Sequence, residues 1–209
     1  HDSGGNSGGI SAGDVQWMTA GGGGLHKEYQ EKEFNEKGGA FQMVQLWVNL
    51  PAKDKMTPAK YQAIENKMMG RYLLEDKVSV VEIIAGEYKG VKGPAYTFTP
   101  IHLFVLRLRK GAVATFSLPK NYNTGLLILE GSIMINEKDE APVNRFVLFN
   151  NDGTEIRINA LEDGSCLLMS GEPIDEPIVP YGPFLMNTKE EIRKAYEDYE
   201  SGKFGQLED

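Results

Sequence analysis

Residues 101–118 read IHLFVLRLRKGAVATFSL. Two strand-like runs, Ile101 to Leu108 and Ala112 to Leu118, flank a turn at Gly111. Further runs cover Val78 to Ile84, Ala95 to Phe98, Leu126 to Ile135, Arg145 to Phe149, Glu155 to Ile158 and Cys166 to Met169. Turn signals separate them at Gly86, Gly90, Asn136, Asp152-Gly153 and Asp163-Gly164. Short strands at this spacing predict a sandwich or small barrel, and 24 glycines among 209 residues agree with many bounded strands. The fold class expected is all-β. The stretch is also the most apolar of the chain, yet Arg107, Arg109 and Lys110 interrupt it, so it falls short of the ~18 uninterrupted apolar residues of a membrane helix.

Upstream, Val15 to Met18 alternates as a half-buried strand, and Gly21 to Gly24 then breaks regular structure, permitting positive φ and close backbone approach. Phe41 to Leu50 resumes in period two, with Val44, Leu46, Val48 and Leu50 on one face and Gln45, Trp47 and Asn49 on the other. Thr57-Pro58, followed by Tyr61, Ile64 and Met68 at i, i+3, i+7, predicts a linking helix over 58–70. At the other end Thr188 and Glu191 form a capping-box pattern. Ile192, Ala195, Tyr196 and Tyr199 share the face that follows, which predicts an amphipathic helix ending at Gly202.

Lys and Arg number 22 against 30 Asp and Glu, a net charge of −8 that argues against direct nucleic-acid binding. The single cysteine, Cys166, excludes an intramolecular disulfide and a multi-cysteine zinc site, and a reducing, cytoplasmic location is the default expectation. Cys166 lies in an apolar run and reads as a small buried residue. The acidic stretch Glu137 to Glu140 lacks calcium-loop spacing and reads as a hairpin turn. No glycine-rich element carries the Lys-Ser/Thr of a phosphate loop.

Of the three histidines, His102 in P-I-H-L-F reads as a core or sheet-face residue with a hydrogen-bond partner, and His1 as an ordinary strand or turn residue. His26 differs. It follows the glycine loop and stands two residues before Glu28, so on an extended strand imidazole and carboxylate project from one face about 7 Å apart and can converge on one ion. That is half of a metal site, since a complete one needs three or four protein ligands.

Ile10 to Glu28, ISAGDVQWMTAGGGGLHKE, with QLWVNL at 45–50, DKMTP at 54–58, SGEPIDEPI at 170–178 and GPFLMNT at 182–188, resembles the pirin family of iron-binding bicupins over nearly the whole chain. The resemblance implies a double cupin with a C-terminal α-helix. Residues 1–57 would be a partial N-terminal cupin, 58–70 the linker helix, 71–187 a C-terminal cupin without metal ligands, and 188–209 the terminal helix and tail. It implies one Fe2+ per chain, with other divalent metals possible, held by three histidines and a glutamate. His26 and Glu28 match the second ligand pair. The first pair, H-P-H, is expected upstream of His1. Two departures stand out: Gly22 and Gly24 replace the Arg and Ile of the family's A-G-R-G-I, predicting a looser pocket wall, and 120–131, at the first-motif position of the second cupin, has no histidine.

The implied activity is quercetin 2,3-dioxygenase chemistry on a small flavonol-like substrate. Glu28 would serve as ligand and catalytic base, and Gln45 and Trp47 as candidate pocket residues. Two alternatives stay open: a non-catalytic, iron-dependent redox module that binds a protein partner, and a metal-free structural bicupin.

Overall fold

The computed structural model describes residues 1–5 and 7–207; the last two residues of the expected tail lie outside the described residues. The chain divides into two compact units, one of His1–Ala63 with Ile174–Asp209, the other of Ile64–Pro173. In chain order the strands of the first unit are β1 (Val15–Thr19), which pairs with β2 (Lys60–Ile64), and the hairpin β15 (Val179–Tyr181) and β16 (Phe184–Met186). Its helices are α1 (Lys32–Lys37) and α2 (Lys189–Glu200).

The second unit holds β3 (Gly70–Leu73), β4 (Val80–Ala85), β5 (Glu87–Tyr88), β6 (Val91–Lys92), β7 (Ile101–Leu108), β8 (Val113–Ser117), β9 (Asn123–Glu130), β10 (Ser132–Ile135), β11 (Asp139–Pro142), β12 (Phe146–Leu148), β13 (Glu155–Ala160) and β14 (Gly164–Gly171). The expected strand Ile101 to Leu108 is β7. It runs antiparallel to β14 from Ile101 opposite Gly171 to Leu108 opposite Gly164. A six-stranded sheet in the order β12-β9-β14-β7-β4-β3 accompanies a four-stranded one in the order β11-β10-β13-β8.

Alternation fixes what lies inside. Val81, Ile83, Phe104, Leu106, Leu126, Ile128, Cys166 and Leu168 from the larger sheet share one core with Ala114, Phe116, Ile133, Ile135, Ile156 and Ile158 from the smaller. Each large side chain so buried contributes roughly 1.5–3 kcal/mol. The Phe104 and Phe116 rings stack at 5.9 Å, and Tyr88 closes on Phe116 at 4.9 Å while its hydroxyl donates to the Thr115 carbonyl. On the other face of β4, buried Glu82 accepts from Arg71 Nη2 and Arg107 Nε, both at 2.9 Å.

The terminal helix forms as its sequence dictates: Thr188 Oγ1 accepts from Glu191 N, and Glu191 Oε2 from Thr188 N, reciprocally capping the first turn. No helix among the described residues is long and apolar enough to cross a membrane.

Four expectations are corrected. The helix over 58–70 is instead β2 followed by a single 3-10 turn, Asn66–Met68. Ile64 is buried but Met68 is 53% exposed, so the supposed stripe is not one packed face, and pairing with β1 outweighs the local helical spacing. Phe41 to Leu50 carries no regular structure, since no strand among the described residues supplies a ladder for it. Ala95 to Phe98 is likewise irregular. Leu126 to Ile135 is two strands split at Gly131, whose φ of 73° turns the chain beside Asp163.

Candidate functional site

The glycine loop is braced by its surroundings. Past buried Thr19, Gly23 N donates to the Ala20 carbonyl at 2.9 Å, closing a turn, and Gly22 N donates to the Thr57 carbonyl at 2.8 Å. Gly21 has φ 52° and Gly23 φ 109°, and a Cβ at either would overlap a neighbour, the Thr57 carbonyl for Gly21 and the Phe204 ring for Gly23. Those two positions require glycine. At Gly22 and Gly24 a Cβ would meet nothing nearer than 3.8 Å, so these are the positions that tolerate a side chain.

Thr57 is itself held. Its amide donates to the Asp54 carbonyl at 3.1 Å, the Ala52 amide to Glu176 Oε2 at 2.6 Å, and Lys55 Nζ to Asn49 Oδ1 at 2.6 Å. Burial holds the Lys55 ammonium below the usual lysine range, with the carboxylates of Glu176 and Glu191 opposing that shift. Asn187 Nδ2 donates to the same Glu176 oxygen at 3.1 Å. Neither Lys55 nor Phe204 was legible as part of the loop's support, although a lone Phe in the polar stretch 200–206 was a usable signal.

The loop delivers His26 to a short antiparallel pairing with the residues at 1–3. Lys27 N donates to the His1 carbonyl at 2.9 Å, Ser3 N to the Leu25 carbonyl at 2.8 Å, and Leu25 N to Ser3 Oγ at 2.9 Å. Asp2 is bridged directly opposite His26, which puts a carboxylate-bearing residue on the imidazole's face of the ladder. Sequence spacing gave no sign of that neighbour. His26 and Glu28 are both exposed.

Among the described residues, no three His, Cys, Asp or Glu side chains are grouped to hold a metal. An imidazole nitrogen and a carboxylate oxygen suit a borderline divalent ion, so the donor chemistry of His26 and Glu28 fits two positions of a mononuclear site. Gln45 and Trp47 lie in the irregular segment, both exposed, Trp47 by 63%.

The second unit carries one imidazole, that of His102, apart from the pair at His26 and Glu28. Its interior is filled by apolar side chains, and burial pushes the Cys166 thiol up to about 12, leaving it protonated at neutral pH. His102 faces inward in register with Phe104, its ring 5.6 Å from Phe104 and 6.1 Å from Tyr122. It is a half-buried sheet-face histidine outside the core cluster, and the hydrogen-bond partner expected for it is missing at Nδ1, which is buried and unbonded. Burial also holds its pKa below the ordinary histidine value, with Glu87 opposing.

Two antiparallel sheets around one apolar core, with a single long helix after the last strand, define an all-β cupin protein. Family models match on both sides of the chain, Pirin over residues 1–48 and the Pirin C-terminal cupin domain over 103–205. A Pseudomonas aeruginosa protein provisionally named a quercetin 2,3-dioxygenase is 42% identical, over 98% of this chain and 71% of its own length. Human pirin is 34% identical, over 96% of this chain and 68% of its own length. The crystal structure of a quercetin 2,3-dioxygenase from Acinetobacter baumannii matches with a TM-score of 0.93 at 46% identity, covering 99% of this chain and 72% of that one. The chain belongs to the pirin family.

Proposed function

We propose that the protein is a metal-dependent dioxygenase of the quercetin 2,3-dioxygenase type, in which His26 and Glu28 supply two ligands to one Fe2+. The likeness to the Acinetobacter enzyme over nearly the whole chain carries this reading. An iron ion so held would supply redox chemistry with dioxygen and open positions for a flavonol. His26 anchors the ion from the ladder opposite Asp2. Glu28 stands one step further along the same segment, exposed, where its carboxylate can also take the proton of the flavonol hydroxyl. Ring opening consumes one O2 per flavonol and releases one carbon monoxide. Gln45 and Trp47 are proposed to line the substrate side, and the unit of Ile64–Pro173 to be structural.

The test is metal content by elemental analysis on the full-length protein, followed by carbon monoxide release with quercetin and O2. Expected are about one iron per chain, lost in His26→Ala, and carbon monoxide formation that falls at least 100-fold in Glu28→Gln. Iron without turnover would overturn the enzyme reading in favour of a non-catalytic iron module. No metal in the full-length wild-type protein would overturn both.

A further inference from the structure

We infer that Phe204 is a positioning residue for the His26 and Glu28 pair, acting through Gly23; its effect on metal binding rests on the reading above, while the contact itself does not. After α2 the chain turns at Gly202, whose amide donates to the Tyr199 carbonyl at 3.0 Å, and Lys203 N donates to the Asp198 carbonyl at 3.0 Å. Buried Asp198 fixes that turn by accepting from Lys194 Nζ at 2.5 Å and Lys203 Nζ at 2.8 Å. The turn lays the Phe204 ring among Phe184 and Tyr199, with centroids 6.0 and 6.4 Å away, and leaves it 9% exposed.

One side of that ring, the run Cδ1–Cε1–Cζ, is what Gly23 meets. A Cβ at Gly23 would fall 2.7 Å from Phe204 Cζ and nearer still to Cε1, so ring and loop backbone are in direct contact. The next residue touches the other side of the ladder: a Cβ at Gly205 would lie 3.2 Å from the Ser3 carbonyl oxygen. Ser3 is bonded to Leu25, beside His26. One two-residue step of the tail therefore abuts both segments that hold His26. A glycine run has more backbone freedom to lose than any other, so without a rigid wall the loop would reach its ordered form at greater entropic cost. Groups hydrogen-bonded directly to metal ligands typically change metal affinity about 10–100-fold when removed, and Phe204, one contact further back through Gly23, is set at the low end of that range.

The test compares Phe204→Ala, Phe204→Leu and Phe204→Tyr in the full chain, by amide hydrogen exchange without metal and by cobalt(II) titration. In the Ala and Leu variants the amides of Gly22, Gly23, Leu25 and Lys27 are expected to exchange at least tenfold faster, with α2 and β7 unchanged. Phe204→Tyr, which keeps the ring, is expected to match the wild type. Cobalt(II) affinity is expected to fall about tenfold or more in Phe204→Leu. Should Phe204→Ala also loosen α2, Phe204→Leu decides, because it keeps apolar contact with Phe184 and Tyr199 but lacks the flat ring. Unchanged loop exchange, loss only in step with α2, or undiminished cobalt affinity in Phe204→Leu would overturn the inference. A wild-type chain that binds no metal would instead defeat the iron reading, and loop exchange would then decide the role of Phe204 alone.

Discussion

The hydroxyls of Thr124 and Ser170 lie 2.8 Å apart on directly opposed positions of β9 and β14, and both residues are buried. Each is the other's partner at the end of an apolar interior. Thr124→Val and Ser170→Ala are each expected to cost about 1–3 kcal/mol, because each strands a buried hydroxyl. The double variant is expected to cost less than the sum by about 1 kcal/mol, since it removes both groups at once. Urea unfolding of the four proteins checks this, and strict additivity would refute the shared bond.

His102 predicts an acid-side loss of stability. Its folded-state pKa lies below the ordinary value of 6.5, so in acid the unfolded chain binds the proton more readily than the folded one. Stability is therefore whole above that value and declines as pH falls from about 6.5 towards the folded pKa, with a slope of at most about 1.4 kcal/mol per pH unit from this group. Denaturant midpoints between pH 7.5 and 5 should show a shallower decline in His102→Phe than in the wild type. Parallel curves would count against it.

Cys166 is expected to be inert towards thiol reagents in the native protein. Its sulfur is buried at the centre of the core, and a thiol held near 12 presents almost no thiolate at pH 8. Labelling by an aromatic disulfide should then proceed only through unfolding, at a rate that rises with denaturant. Rapid labelling without denaturant would contradict this placement.

The legible part of this molecule was the part whose local pattern and long-range pairing agree. Ile101 to Leu108 and Thr188 to Glu191 needed nothing but their own alternation or spacing to become β7 and the capped start of α2. Residues 58–70 failed because the i, i+3, i+7 spacing of Tyr61, Ile64 and Met68 is helical taken alone, and the pairing of β2 with β1 overrides it. At the candidate site, His26 and Glu28 were visible as a spaced pair. Asp2, Thr57 and Phe204 were not, because contacts across a ladder or from remote sequence leave no local period to read.

The unit that carries His26 is assembled from two stretches of chain, and the whole of Ile64–Pro173 is synthesised between them. During translation the strands of the intervening unit are all made first, and the contact of Gly23 with Phe204 forms only afterwards. The first unit is thus completed after the one nested within it. A released chain ending at Asn187 should hold a protease-resistant Ile64–Pro173 unit together with a glycine loop still open to cleavage.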